Sequence, residues 1–228
     1  MRILICGDSF AITDPEFPGL HWSEKILDHS ADFEVCNLAH GGCSNALIAV
    51  QLLQGLKLNP DFVILSFTSD GRYEVDGDTT VRPKAFTAEE LADFQKRRYL
   101  TNCFEQSVPV AQLEVVNRWR VTASENLEKL KNYFYIAFCL QTLHNQDCGF
   151  AYSLGGFEYQ QDYAQLIRGN YLDNVLVDYQ SKELATNLWY HQNGQTKPFF
   201  HVPDPQIHTL FANECIDRIK QFNLGSTP

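Results

Sequence analysis

Ile3-Leu4-Ile5-Cys6-Gly7-Asp8-Ser9-Phe10, residues 3–10, is the stretch on which the fold turns. Four apolar residues form a run too short for a helix, and Gly7-Asp8-Ser9 then breaks it with turn-forming residues. That pattern predicts a buried strand running straight into a tight turn. Outward from it, His21 to His29 reads as a helix with Trp22, Ile26 and His29 on one side. Phe33 to Leu38 is a second short strand, ending at Gly41-Gly42. Ser44 can cap a helix to about Leu58, with Leu47, Ile48, Leu52 and Leu56 at helical spacing. Asn59-Pro60 stops it, and Asp61 to Phe67 (DFVILSF) is the clearest strand. The order β-α-β-α-β, with strands apolar on both faces, predicts a parallel sheet with helical crossovers.

Beyond Asp70 the pattern loosens. Residues 71–86 have turn composition and read as an exposed excursion, and Thr87-Ala-Glu-Glu90 is a capping box that opens a helix to about Leu100. A second box, Thr122-Ala-Ser-Glu125, opens a long helix to about His144, and Gly149 to Leu154 reads as a fourth strand. Residues 157–200 are rich in Tyr, Gln and Asn, which suggests helical fragments and loops. Asp204 as N-cap and Pro205 in the first turn begin a last helix, apolar on one side to Phe222. One domain over 1–228 is expected, with a variable insertion at about 71–122.

Composition narrows the function classes. The chain has 228 residues and a formal charge of −10, from 18 Lys plus Arg against 28 Asp plus Glu. Nucleic-acid affinity rests on cations displacing phosphate counterions, so a nucleic-acid partner is not expected. No apolar stretch reaches the ~18 residues of a membrane span. The first ten residues lack the pattern of a secretory signal, so a cytoplasmic location is the expectation. Seven cysteines, at 6, 36, 43, 103, 139, 148 and 215, contain no C-x-x-C pair. His21, His29, His40, His144 and His191 lack metal-site spacing, the Gly41-Gly42 region lacks a dinucleotide fingerprint, and no metal or cofactor is implied. Lys96-Arg97-Arg98 reads as a solvated helix face.

The chemistry gathers at the strand ends. Three consecutive parallel strands each finish in small polar residues: Gly7-Asp8-Ser9, Asn37-Leu-Ala-His-Gly-Gly42, and Ser66-Phe-Thr-Ser69-Asp70. Ligands bind at the carboxyl ends of strands in open α/β sheets. There the Gly7 turn can expose the Ser9 hydroxyl and its N–H, Gly42 can present an unobstructed N–H to an oxyanion, and Ser69 can add a donor. Asp8 is expected to hydrogen-bond loop backbone. His40 is a histidine to watch, because it stands beside the same cleft.

These residues resemble the SGNH hydrolases, also called the GDSL family. ICGDSF at 5–10 matches the first block, with Ser9 at the nucleophile position, and Asn37 to Gly42 matches the second, with Gly42 at the oxyanion position. The third block corresponds to Phe67-Thr68-Ser69-Asp70, where Phe67 replaces the usual Gly and Ser69 the usual Asn. Two registers fit the last block in residues 199–219. One pairs Asp204 with His208, inside the apolar stripe of the last helix. The other takes His201, just before that helix, as the base, and is preferred. Pro198 then stands where the family carries its orienting Asp. A backbone carbonyl, Asp204 or a distant acid such as Asp178 would have to orient the ring. The resemblance implies a flavodoxin-like α/β/α sandwich, built on a central parallel sheet. It further implies a serine esterase or deacylase acting on a small acyl ester, which family analogy would place on a carbohydrate. A non-catalytic binding or assembly protein, and an acyltransferase using the same serine, are the alternatives.

Overall fold

The computed structural model describes residues 1–13, 18–41, 43–68, 73–74, 100–101, 125–154, 174, 176 and 204–225. Among these residues four strands form one sheet: β1 (Arg2–Gly7), β2 (Glu34–Asn37), β3 (Phe62–Ser66) and β6 (Gly149–Ser153), in the order β2-β1-β3-β6. All three pairings are parallel, with Ile5 opposite Asn37 on one side and Ile64 on the other, and Ile64 opposite Ala151. A separate two-residue pair joins β4 (Tyr73–Glu74) to β5 (Leu100–Thr101). The helices among the described residues are α1 (Trp22–His29), α2 (Asn45–Gly55), α3 (Glu125–His144) and α4 (Pro205–Gly225), and a 3-10 turn, Leu56–Leu58, extends α2.

The strands alternate their side chains between two buried layers, which is why they read as continuous apolar runs. Leu4, Cys6, Val63, Leu65 and Tyr152 face α2 and α3, packing with Ile48, Leu52, Ile136 and Leu140. Ile3, Ile5, Ile64 and Ala151 face α1 and α4, packing with Trp22, Ile26, Phe211, Cys215 and Ile219. The result is a three-layer α/β/α sandwich. The order β2-β1-β3 requires the chain to leave β1 in one direction and return past it to β3. Successive crossovers of one hand therefore put α1 and α2 on opposite faces, and the sheet order reverses between β1 and β3.

The sequence boundaries hold closely where they can be compared. Ser44 caps α2, accepting from the Ala46 and Leu47 N–H groups, and Asn59 ends the following turn in the left-handed conformation at φ 50°. Asp204 caps α4, its Oδ1 accepting from Gln206 N–H at 2.9 Å. His29 differs: it is exposed near the end of α1, and Trp22 and Ile26 are the apolar residues that carry its buried face. Leu100, expected at a helix end, lies in β5. The expected helix over 87–100 otherwise lies outside the described residues, as do the 157–200 segment apart from 174 and 176 and most of the 71–122 insertion. Among the described residues, no helix is long and apolar enough to cross a membrane.

Candidate active site

Gly7 ends β1 opposite Ser66, the last residue of β3. A Cβ at Gly7 would lie 2.6 Å from Ala11 Cβ and 2.9 Å from Ser66 Cβ, so only glycine lets the chain double back here. The turn that follows is closed twice by Asp8. Its carbonyl accepts from Ala11 N–H at 3.0 Å, and its Oδ1 accepts from Phe10 N–H at 3.0 Å. Ser9 therefore occupies the first central position of the turn, half-buried between the buried Asp8 and Phe10. This is the point where the sheet order reverses, the position at which an open α/β sheet presents residues to a ligand.

Asp8 also ties β1 to β3. Thr68 Oγ1 donates to Asp8 Oδ2 at 2.6 Å, and both residues are fully buried. The carboxylate thus holds loop backbone and a neighbouring hydroxyl, as its sequence context suggested. Short O–H···O⁻ bonds of this kind are about twice as strong as neutral ones. Behind Ser9, the Phe10 carbonyl accepts from Trp22 Nε1–H at 2.8 Å and faces His21 Nε2 at 3.0 Å. A carbonyl can only accept, so His21 carries its proton on Nε2. Its Nδ1 then accepts from Ser23 N–H at 3.2 Å and caps α1, with Glu24 completing the box.

Of the proposed catalytic set, Ser9, Asp204 and His208 are described. Gly42, Ser69, His201 and the alternative acid Asp178 lie outside the described residues. His208 is 1% exposed on the inner face of α4, its ring 4.9 Å from that of His21. Its Nδ1 accepts from the Trp22 N–H at 3.1 Å, so a neutral ring carries its proton on Nε2. A serine-activating histidine that uses Nε2 as base holds the opposite tautomer. Asp204 is half-buried, and its carboxylate is engaged at the start of α4. His40 is half-buried beside the turn. Its N–H donates to Gly7 O at 3.1 Å, and its Nδ1 faces Gly41 O at 3.1 Å, which leaves Nε2 as the acceptor.

Cys6, near the end of β1, and Cys139, on α3 in the same buried layer, are poor nucleophiles. Burial pushes the Cys6 thiol well above its ordinary range, reinforced by Cys139, Cys36 and Cys43, and burial pushes Cys139 up to about 12. A thiol must ionise to react, which leaves the half-buried Ser9 as the candidate nucleophile among the described residues of this strand end. Cys43 instead shapes the loop, its Sγ–H donating to Gly7 O at 3.1 Å.

Three polar residues under the turn were missed by sequence reading: Gln51, Asn45 and Asn132. Gln51 Oε1 accepts from Gly7 N–H at 2.8 Å, and its Nε2 donates to Gly7 O at 3.2 Å. Asn45 does the same to Thr68, accepting from its N–H and donating to its carbonyl, each at 2.9 Å. Asn45 Nδ2 also donates to Asn132 Oδ1 at 3.0 Å. The available signal was a glutamine set within the apolar stripe of α2, between Ile48 and Leu52.

No family model and no curated protein matches the sequence. Solved structures do. The psychrotrophic esterase EstA from Pseudoalteromonas sp., solved inhibited by monoethylphosphonate, is 12% identical, covers 97% of each chain and superposes with a TM-score of 0.53. A lipolytic protein of the G-D-S-L family from Veillonella parvula is 11% identical over 95% of this chain and 96% of its own, with a TM-score of 0.49. TesA is 11% identical over 97% of this chain and 99% of its own, with a TM-score of 0.48. At such identities the likeness speaks to architecture alone. With a parallel β2-β1-β3-β6 sheet and Gly7-Asp8-Ser9 turning at the end of β1, the chain has the fold of the SGNH hydrolases, a flavodoxin-like three-layer sandwich.

Proposed function

We propose that the chain is a serine esterase or deacylase that hydrolyses a small acyl ester through an acyl-enzyme on Ser9. The observation that carries this reading is the Ser9 turn itself. A half-buried serine sits at the tip of a doubly closed turn, at the carboxyl end of β1, where the sheet order reverses. In the proposed mechanism Ser9 Oγ attacks the ester carbonyl while His201 takes its proton. The tetrahedral oxyanion accepts from the N–H groups of Ser9 and Gly42 and from the Ser69 hydroxyl. His201 then returns the proton to the departing alcohol, and water releases the acid by the reverse steps. Each oxyanion donor is worth on the order of 10²–10³ in kcat in comparable sites.

His201 is assigned as the base in preference to His208, because His208 is buried in the core with Nδ1 committed to the Trp22 N–H. Asp204 stands three residues after His201 and is the nearest carboxylate in sequence to orient it; a backbone carbonyl or Asp178 would serve the same role. The acidic chain suits a neutral ester better than a strongly anionic one, and a carbohydrate ester is the first substrate class to try. A second reading, a binding or assembly protein that has kept the fold, is favoured by two departures: Ser69 where the family carries Asn, and Pro198 where it carries the orienting Asp. Hydrolysis of p-nitrophenyl acetate separates them. The esterase reading expects turnover that Ser9→Ala removes; equal rates for wild type and Ser9→Ala would end it.

A further inference from the structure

We propose that Gln51 is a positioning residue for Ser9: its side-chain amide stands in for the β2 carbonyl that Gly7 N–H lacks and fixes the main chain from which the nucleophilic turn springs. This inference rests on the esterase reading above.

Along the β1–β2 edge the ladder is regular as far as Leu38, whose N–H donates to Ile5 O at 2.8 Å, and His40 N–H then reaches Gly7 O at 3.1 Å. In a regular parallel ladder the Gly7 N–H would donate to a β2 carbonyl. Here it donates to Gln51 Oε1 at 2.8 Å instead. The same amide returns a hydrogen bond to Gly7 O at 3.2 Å, so one side chain meets both polar groups of one residue. Gln51 is 5% exposed in the middle of α2, among apolar neighbours. A buried amide is tolerated only where its hydrogen bonds are made, and these are made to the last residue before Asp8 and Ser9.

The same helix repeats the device one strand over. Asn45, in its first turn, clamps both polar groups of Thr68, whose hydroxyl holds Asp8. Helix α2 thus grips the ends of β1 and β3 by two side-chain amides, and its N-cap Ser44 lies two residues beyond Gly42. The turn that carries Ser9 and the third strand end are thereby referenced to one rigid element. A nucleophile displaced by about 1 Å can lose on the order of 10²-fold in rate, which is the loss this clamp would prevent.

The test uses p-nitrophenyl acetate kinetics on full-length wild type, Gln51→Met and Gln51→Glu, with circular dichroism and melting as fold controls. Gln51→Met keeps the length and removes both bonds. It should lower kcat by about 10–100-fold with KM within about twofold. Gln51→Glu keeps the acceptor for Gly7 N–H and regains a donor for Gly7 O only when its carboxyl is protonated. Its kcat relative to wild type should therefore rise as pH falls from about 8 to about 6, since burial raises a carboxyl's pKa. A folded Gln51→Met with wild-type kcat would overturn the proposal. So would a kcat ratio for Gln51→Glu that does not change with pH, which also decides the matter if Gln51→Met does not fold. If wild type itself shows no Ser9-dependent turnover, the esterase reading falls and this inference falls with it.

Discussion

Gly7→Ala is the smallest change that should disturb the Ser9 turn. The added methyl would meet Ala11 Cβ at 2.6 Å, Ser66 Cβ at 2.9 Å and Ser66 O at 3.1 Å. Ordinary carbon contacts begin near 3.5 Å, so Ala11 must retreat by about 0.9 Å and Ser66 by about 0.6 Å. Neither can yield cheaply. Ala11 N–H closes the turn on Asp8 O, and Ser66 is fixed opposite Gly7 in the sheet. Overpacking of this kind costs about 1–3 kcal/mol. At about 2–4 °C per kcal/mol for a chain of this size, a loss near 2 kcal/mol lowers Tm by about 4–8 °C. Because the strain is relieved by opening the turn, ester hydrolysis should fall about tenfold or more even where the protein remains folded. Gly41→Ala is the internal control: a Cβ there meets nothing within 4 Å, so its stability should stay within about 0.5 kcal/mol of wild type. Urea unfolding and melting of the three proteins give the stabilities. A Gly7→Ala protein as stable as Gly41→Ala would refute the close-approach argument.

Three further outcomes follow from the same contacts. Thr68→Val preserves shape but removes the 2.6 Å bond to Asp8, and should destabilise by about 1.5–3 kcal/mol in urea unfolding. His208→Ala leaves the Trp22 N–H without its acceptor and opens space beside His21, so it should cost a few kcal/mol of stability, about 2–5, while the folded protein keeps its turnover; His201→Ala should lose turnover. The buried thiols set an alkaline limit. Cys139 is raised from 9.0 to about 12 by burial, so the folded state holds its proton after the unfolded chain has released it. Its contribution is complete below about pH 9 and is lost toward pH 12, by roughly 1.4 kcal/mol per unit. Cys139→Ala should flatten the fall in unfolding free energy over that range, as read by urea titration at stepped pH.

Much of the fold was legible because local signals and tertiary layers agree. The runs at Ile3–Cys6 and Phe62–Leu65 read as buried parallel strands, and both faces of each are covered by helices. Ser44 and Asp204 cap the helices they were expected to cap, since a capping oxygen acts within its own turn. Placing His208 in the apolar stripe of the last helix was likewise a local inference, and its burial follows from that stripe. The clamps were not legible. Gln51 reaches Gly7 across 44 positions, and Asn45 reaches Thr68 across 23. Nothing in residue spacing encodes a side-chain amide bonding to distant backbone. His21 was read as a helix residue, whereas its imidazole caps that helix and holds the Phe10 carbonyl. A histidine can serve as a cap, but it is not among the residue types that mark one in a sequence.

The central claim is that Ser9 is an activated nucleophile, and a covalent probe tests it most directly. Wild-type protein incubated with an alkyl fluorophosphonate and measured by intact mass should gain one adduct. Peptide mapping should place that adduct on Ser9, and Ser9→Ala should gain none. Absence of an adduct on wild type, or an equal adduct on Ser9→Ala, would contradict the account.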